Sequence, residues 1–189
     1  MKIIGINGSP TKDGNTASMI KTVFSVLEPK GIECELYQLG GNAVHGCTNC
    51  GWCKKNHEKK CAIDTDCINE CIAKMDASDA VIIGSPTYFA AMTTETKALI
   101  DRAGRVCRGQ GLLRRKVGAA VTPARRAGTM NVFQAINNFF LVQEMIVPGA
   151  SYWNVGVAAG PGEFEKDEEG VKIMTNLGEN MAWLMEKIN

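Results

Sequence analysis

Between His45 and Cys61 the chain reads HGCTNCGWCKKNHEKKC, with cysteines at 47, 50, 53 and 61 separated by two, two and seven residues. Thiolates are soft ligands, and four of them in one short segment suit a compact metal centre. An iron–sulfur core takes four thiolates. Three cysteines spaced two residues apart wrap three of its corners, and a fourth closes it from further along. Zinc would draw on Cys50, Cys53, Cys61 and Cys67, although a second C-x2-C pair is missing. A pair of disulfides, or ordinary buried thiols, are the remaining readings, and disulfides are disfavoured in a reducing compartment. Six of the eight cysteines fall between Cys47 and Cys71, a concentration that packing alone does not require.

Residues 7–16, NGSPTKDGNT, carry a different chemistry. Ser9, Thr11 and Thr16 offer hydroxyls, Asn15 an amide, and Gly8 and Gly14 allow close backbone approach. Placed between a strand and a helix, this segment presents free N–H groups and the positive end of a helix dipole to a phosphate. A Walker loop does not fit: five residues separate the glycines, and Asn15 stands where the lysine belongs. The dinucleotide pattern GxGxxG is absent as well. A hydroxyl-rich loop without lysine suits a terminal monophosphate. The plain alternative is a strand-to-helix turn capped by Asn15 or Thr16.

Two further segments could complete such a site. In SPTYFAAM (85–92), Pro86 stiffens the chain, Thr87 supplies a hydroxyl and an amide, and Tyr88 and Phe89 can flank a flat ring. In TPARRAGTMN (122–131), Thr122, Arg125, Arg126 and Gly128 offer polar contacts and positive charge. Core aromatics and solvated arginines are the structural alternatives. A phosphate at one strand end and a flat ring at the next is how a mononucleotide lies across a parallel sheet.

The elements that must position these residues alternate from end to end. Strands are expected over 2–8, 32–39, 79–86, 116–123 and 146–153. Helices are expected over 15–27, 64–75, 93–106 (capped by Thr93 or Thr94), 129–145 and 167–188. Residues 160–170 read as a surface loop. The pattern predicts an α/β doubly wound five-stranded parallel sheet with helices on both faces and ligands at the carboxyl ends of the strands. The whole of 1–189 is expected to form one domain, with the cysteine-rich loop inserted at about residues 43–63. A net charge of +1 gives no reason to expect nucleic acid or an anionic membrane as partner. No apolar run approaches the roughly 20 residues of a membrane span. The chain is expected to be soluble and cytoplasmic.

Taken together, the loop 7–16, the cysteine loop with CAIDTD, SPTYFAAMTTETKALIDR and PARRAGTMNVFQAINNFF resemble the NAD(P)H-dependent FMN reductase superfamily, and within it the iron–sulfur flavoproteins. The resemblance runs from residue 1 to about residue 153. It implies a flavodoxin-like fold with strand order 2-1-3-4-5, bound FMN and a homodimer or homotetramer. Matched by position, Ser9, Thr11, Gly14, Asn15 and Thr16 would hold the FMN phosphate. Pro86, Thr87, Tyr88 and Phe89 would flank the ring, and Thr122 with Arg125, Arg126 and Gly128 would close the third side. Cys47, Cys50, Cys53 and Cys61 would hold a 4Fe–4S cluster. The implied role is electron transfer between a one-electron donor such as ferredoxin and an acceptor by way of FMN, with NAD(P)H as another possible donor. The alternatives are a cluster-free NAD(P)H-dependent FMN, quinone or nitro reductase, and a flavin-free thiol or zinc module. Lys54, Lys55, Lys59 and Lys60 could offset the negative charge of a cluster, while Cys34, Cys67, Cys71 and Cys107 read as buried small hydrophobes.

Overall fold

In a computed structural model, which describes residues 1–188, the apolar runs form five parallel strands. They are β1 (Lys2–Asn7), β2 (Glu33–Gln38), β3 (Ala80–Gly84), β4 (Val117–Ala124) and β5 (Val155–Val157), in the order β2-β1-β3-β4-β5. The order reverses direction at β1, which lies between β2 and β3. At such a switch point two loops leave in opposite directions and open a crevice.

The helices are α1 (Asn15–Leu27), α2 (Trp52–Asn56), α3 (Ile68–Asp76), α4 (Thr94–Gln110), α5 (Thr129–Val142) and α6 (Glu168–Ile188). Strand residues alternate between two cores, as a pleated sheet covered on both faces requires. Ile3, Ile82, Ala119 and Val121 pack with Met19, Ile20 and Val23 of α1 and Leu177 and Met181 of α6. Ile4, Ile6, Val81, Ile83 and Ala120 pack with α3, α4 and α5, and Cys61 joins this second core. Helix α4 is capped by Thr93, whose Oγ1 accepts from the Thr96 N–H at 3.3 Å. No helix among the described residues is long and apolar enough to cross a membrane.

The structure corrects the expectation at three places. The last strand is not 146–153. Ile146 makes a single parallel bridge to Val117, and then Pro148, which has no N–H to offer a ladder, takes the chain off the sheet. The chain returns at Asn154, whose carbonyl accepts from the Thr122 N–H at 3.1 Å and whose amide donates to the Ala120 carbonyl at 3.0 Å. Within 160–170, a turn of 3-10 helix (Phe164–Lys166) buries Phe164 completely. The cysteine segment also contains a helix, α2, which the sequence pattern did not suggest.

Candidate functional site

The loop after β1 is built by two side chains behind it. Asn7, at the end of β1, is fully buried. Its Oδ1 accepts from the Ser9 N–H at 3.1 Å, and its amide donates to Gln38 Oε1 at 2.7 Å and to the Lys12 carbonyl at 3.3 Å. Gln38, at the end of β2, donates to the carbonyls of Ser9 and Gly40, both at 2.7 Å. The loops after β1 and β2 pack so closely that a Cβ at Gly40 would lie 2.2 Å from the Ser9 carbonyl carbon. At Gly8 a Cβ would lie 2.0 Å from Thr96 Oγ1 and 2.7 Å from the Gly84 carbonyl oxygen, so glycine is required there too. Neither Asn7 nor Gln38 was singled out from the sequence. Their signal is a polar side chain at the last position of two neighbouring strands.

The loop opens onto a cavity of about 230 Å³ walled by Ser9, Thr11, Gly14, Asn15 and Thr16, by Pro86, Thr87 and Tyr88, and by Arg125. Helix α1 begins here with Gly14 as its cap residue, no side chain capping it and no acidic residue in its first turn. Its N-terminal N–H groups and positive dipole end therefore serve the cavity. Ser9 Oγ accepts from the Thr11 N–H at 3.2 Å. Asn15 is already committed: its amide donates to the Gly160 carbonyl at 2.8 Å and its Oδ1 accepts from the Phe164 N–H at 3.2 Å. It thereby draws in a fourth wall, Ala158, Ala159, Gly160 and Pro161, that residue types alone could not reveal. Pro123 and Ala124 also line the space. The Glu163 carboxylate accepts from the N–H groups of Gly160 and Ala159, both at 2.8 Å, which hold its pKa below the usual range and shape this wall.

Four of the expected residues stand away from the cavity. Phe89 is fully exposed at the tip of a tight turn in which Tyr88 and Ala91 exchange backbone hydrogen bonds of 2.9 and 3.0 Å. Phe89 and Ala90 both have positive φ, at 50° and 60°, a conformation that side chains with a Cβ disfavour. Thr122 is buried behind the wall, its hydroxyl 3.1 Å from that of Thr87. Arg126 is exposed outside the lining, and Gly128 caps α5 beneath Thr87 and Ala90. Well-formed small-molecule sites span roughly 300–1,000 Å³, so at about 230 Å³ this cleft has room for part of such a ligand, with Tyr88 and Arg125 on its wall.

The four motif cysteines are brought together at a second place. Cys47, Cys50, Cys53 and Cys61 all wall one cavity of about 520 Å³, together with Lys54, His57 and the α4 residues Arg102, Arg105 and Arg108. Among the described residues, no three His, Cys, Asp or Glu side chains converge closely enough to form a ready-made metal site, and every cysteine is a free thiol. The donor types are nevertheless those a thiolate-held centre uses: four cysteines line one cavity, and Lys54, Arg105 and Arg108 line it with them. The Asn49 N–H donates to Cys47 Sγ at 3.4 Å. At Cys50, the Trp52 N–H, the Thr48 hydroxyl and the charge of Arg105 pull the thiol pKa below its ordinary value. Burial does the opposite elsewhere. It pushes Cys107 up to about 12 and Cys71 well above the usual range, as small hydrophobes in a core should behave. The basic residues that line this cavity come mainly from α4. Lys59 pairs with Asp76 at 2.8 Å and Lys60 sits 3.8 Å from Glu58, so neither takes the role expected of it.

Two clamps hold the ends of the cysteine loop. Arg102 is about 1% exposed and its Nη1 donates to both oxygens of Asp66, at 2.7 and 2.5 Å, and to the His45 carbonyl at 3.2 Å. Its Nη2 donates to the Ile63 carbonyl at 2.5 Å. Asp66 also accepts from the N–H groups of His45 at 3.0 Å and Ile68 at 3.1 Å. Burial alone would raise the Asp66 pKa, but these donors outweigh it and hold the carboxyl below the usual range. On the other side, Asn69 accepts from the Cys61 N–H at 2.8 Å and donates to the carbonyls of Cys61 and Ile63 at 3.0 and 3.1 Å. These three clamp residues lie outside the cysteine motif, and only the folded chain reveals them.

Comparison with known proteins gives the family of the chain. The family model for NADPH-dependent FMN reductase matches residues 1–160. An iron–sulfur flavoprotein of Methanocaldococcus jannaschii is 37% identical, over 100% of this chain and 99% of the relative. An iron–sulfur flavoprotein of Methanosarcina thermophila is 30% identical, over 100% and 97%. Among solved structures, a flavodoxin-class WrbA-like protein from Agrobacterium tumefaciens superposes with a TM-score of 0.66 over 100% of this chain and 98% of that one, at 14% identity. The fold is therefore flavodoxin-like, and the chain belongs to the NADPH-dependent FMN reductase family, alongside relatives named iron–sulfur flavoproteins.

Proposed function

We propose that the chain is an FMN-binding electron-transfer flavoprotein that also holds a 4Fe–4S cluster on Cys47, Cys50, Cys53 and Cys61. The observation that carries this reading is that all four motif cysteines wall one cation-lined cavity, while the β1 loop and the start of α1 wall another. When bound, the cluster exchanges single electrons and the flavin one or two, which links a one-electron donor such as ferredoxin to a two-electron acceptor. The chain's own residues supply position and charge. The hydroxyls of Ser9, Thr11 and Thr16 and the N-terminus of α1 bind the phosphate. Pro86, Thr87 and Tyr88 orient the ring, with Thr122 supporting Thr87 from behind. Arg125 places a cation at the rim, where it favours the electron-rich ring, and Arg126 and Gly128 set the course of the loop that carries it. Arg105 and Arg108 offset part of the negative charge of four thiolates around an iron–sulfur core, while Arg102, paired with Asp66, holds the ends of the loop. Tyr88 beside the cavity and Phe89 at the tip of the neighbouring turn expose apolar surface, which fits assembly into a homodimer or homotetramer in the cytoplasm.

The family description favours a second reading, a cluster-free reductase that takes hydride from NAD(P)H. Protein purified without oxygen separates the two by its absorption spectrum, with flavin, iron, sulfide and zinc assayed on one sample. One flavin and about four irons per chain support the proposal. Flavin with neither iron nor sulfide, and rapid reduction by NAD(P)H, would establish the cluster-free reductase instead.

A further inference from the structure

A phosphate at the carboxyl end of a strand meets main-chain carbonyl oxygens as well as N–H groups, and a bare carbonyl repels it. In residues 7–12 these carbonyls are spent on other donors. That of Asn7 accepts from the N–H groups of Leu39 and Gly40 at 3.0 and 2.9 Å, and that of Gly8 from Thr93 Oγ1 at 2.8 Å. Those of Thr11 and Lys12 accept from the Asn7 amide at 3.4 and 3.3 Å. That of Ser9 accepts from the Gln38 amide at 2.7 Å, which also donates to the Gly40 carbonyl at 2.7 Å. Asn7 is in turn held by Gln38, its register partner across β1 and β2, whose Oε1 accepts from the Asn7 amide at 2.7 Å.

Both ends of the Gln38 amide therefore serve the loop after β1, although the side chain does not line the cavity. Ser9 does line it, and is held from two sides: its N–H by Asn7 Oδ1 and its carbonyl by Gln38. Ser9 Oγ accepts from the Thr11 N–H, which leaves the hydroxyl its own proton to donate. We propose that Gln38 is a positioning residue for the flavin phosphate. It occupies the carbonyls of Ser9 and Gly40 directly, and those of Thr11 and Lys12 through Asn7. The hydroxyls of Ser9 and Thr11 and the start of α1 are then left to meet the anion. This deepens the FMN reading above and rests on it. The residue type supports the assignment. An amide carries an acceptor and two donors on one planar group, whereas a carboxylate would repel both carbonyls and an apolar side chain would leave them bare.

The substitution Gln38→Met keeps the length of the side chain and removes its amide. FMN and riboflavin, which differ by the phosphate alone, are titrated into flavin-free wild type and variant and followed by flavin fluorescence. The expected result is an FMN Kd raised about tenfold, the size of one or two lost hydrogen bonds, with the riboflavin Kd unchanged. A side chain that only holds the fold together would weaken both flavins alike. Where riboflavin binds too weakly to titrate, or the variant does not fold, nuclear magnetic resonance of the wild type decides: on addition of FMN the Gln38 side-chain amide signals are expected to shift together with the Ser9 N–H. Equal losses for the two flavins, an unchanged FMN Kd, or a Gln38 amide that stays still while Ser9 moves overturns the proposal and leaves the FMN reading intact. A wild type that does not bind FMN overturns both.

Discussion

At the scale of single residues, the cysteines are the simplest part of the account to find, and their supports carry most of its physics. Asp66 and Arg102 form an ion pair with side chains 1% and 0% exposed. Removing one partner of such a pair leaves a buried charge uncompensated. Asp66→Ala is therefore expected to destabilise the chain by about 3–5 kcal/mol, read as a drop in the urea midpoint. Asn69 fixes the main chain of Cys61 through both its N–H and its carbonyl. Asn69→Ala is expected to raise the alkylation rate of Cys61 in metal-free protein about tenfold, because losing these bonds makes local opening of the buried thiol easier. Mass spectrometry of the labelled peptides checks this, with Cys71 as the unreactive reference.

At the scale of elements, α4 ties the two cavities together. Its cap residue Thr93 donates from Oγ1 to the Gly8 carbonyl at 2.8 Å, at the phosphate loop. Nine residues later, about 14 Å along the axis, Arg102 grips the cysteine loop. The sequence-based reading of this helix and its cap was right because Thr93 and the apolar spacing after it are local signals. The reading of 146–153 as a strand failed because β propensity in Ile146 and Val147 competes with Pro148 and Gly149, and the contest is decided by the position of Asn154 against β4. The wall at 158–161 was illegible for another reason: it contributes backbone, drawn in by the side chain of Asn15. On the other side of that cavity, Gly40 admits the loop after β2 against Ser9. Gly40→Ala must push backbone against backbone, and it is expected to weaken FMN binding at least about tenfold, with fluorescence titration as the measurement.

For the molecule as a whole, the alternation of strands and helices could be read from sequence because each has its own period, and the strand order came with the family resemblance, whereas the clamps Asp66, Asn69 and Arg102 are joined only by tertiary contact. The acid response follows from the clamp. The folded pKa of Asp66 lies below its unfolded value, so its contribution is fully present above the unfolded pKa and is lost as pH falls through the folded one. The stability difference between wild type and Asp66→Asn is thus expected to hold constant from about pH 8 to 5 and to shrink only below about pH 4. Urea titrations across that range check it. The two cavities share no lining residue, so the proposed function requires electrons to pass from one site to the other. The most direct test of that flow is anaerobic stopped-flow reduction by reduced ferredoxin, monitored at the flavin band, for wild type and Cys61→Ser. The account predicts fast bleaching in iron-loaded wild type and a loss of at least about tenfold in the variant, which keeps its FMN but lacks one thiolate ligand. Equal rates in the two proteins would contradict it.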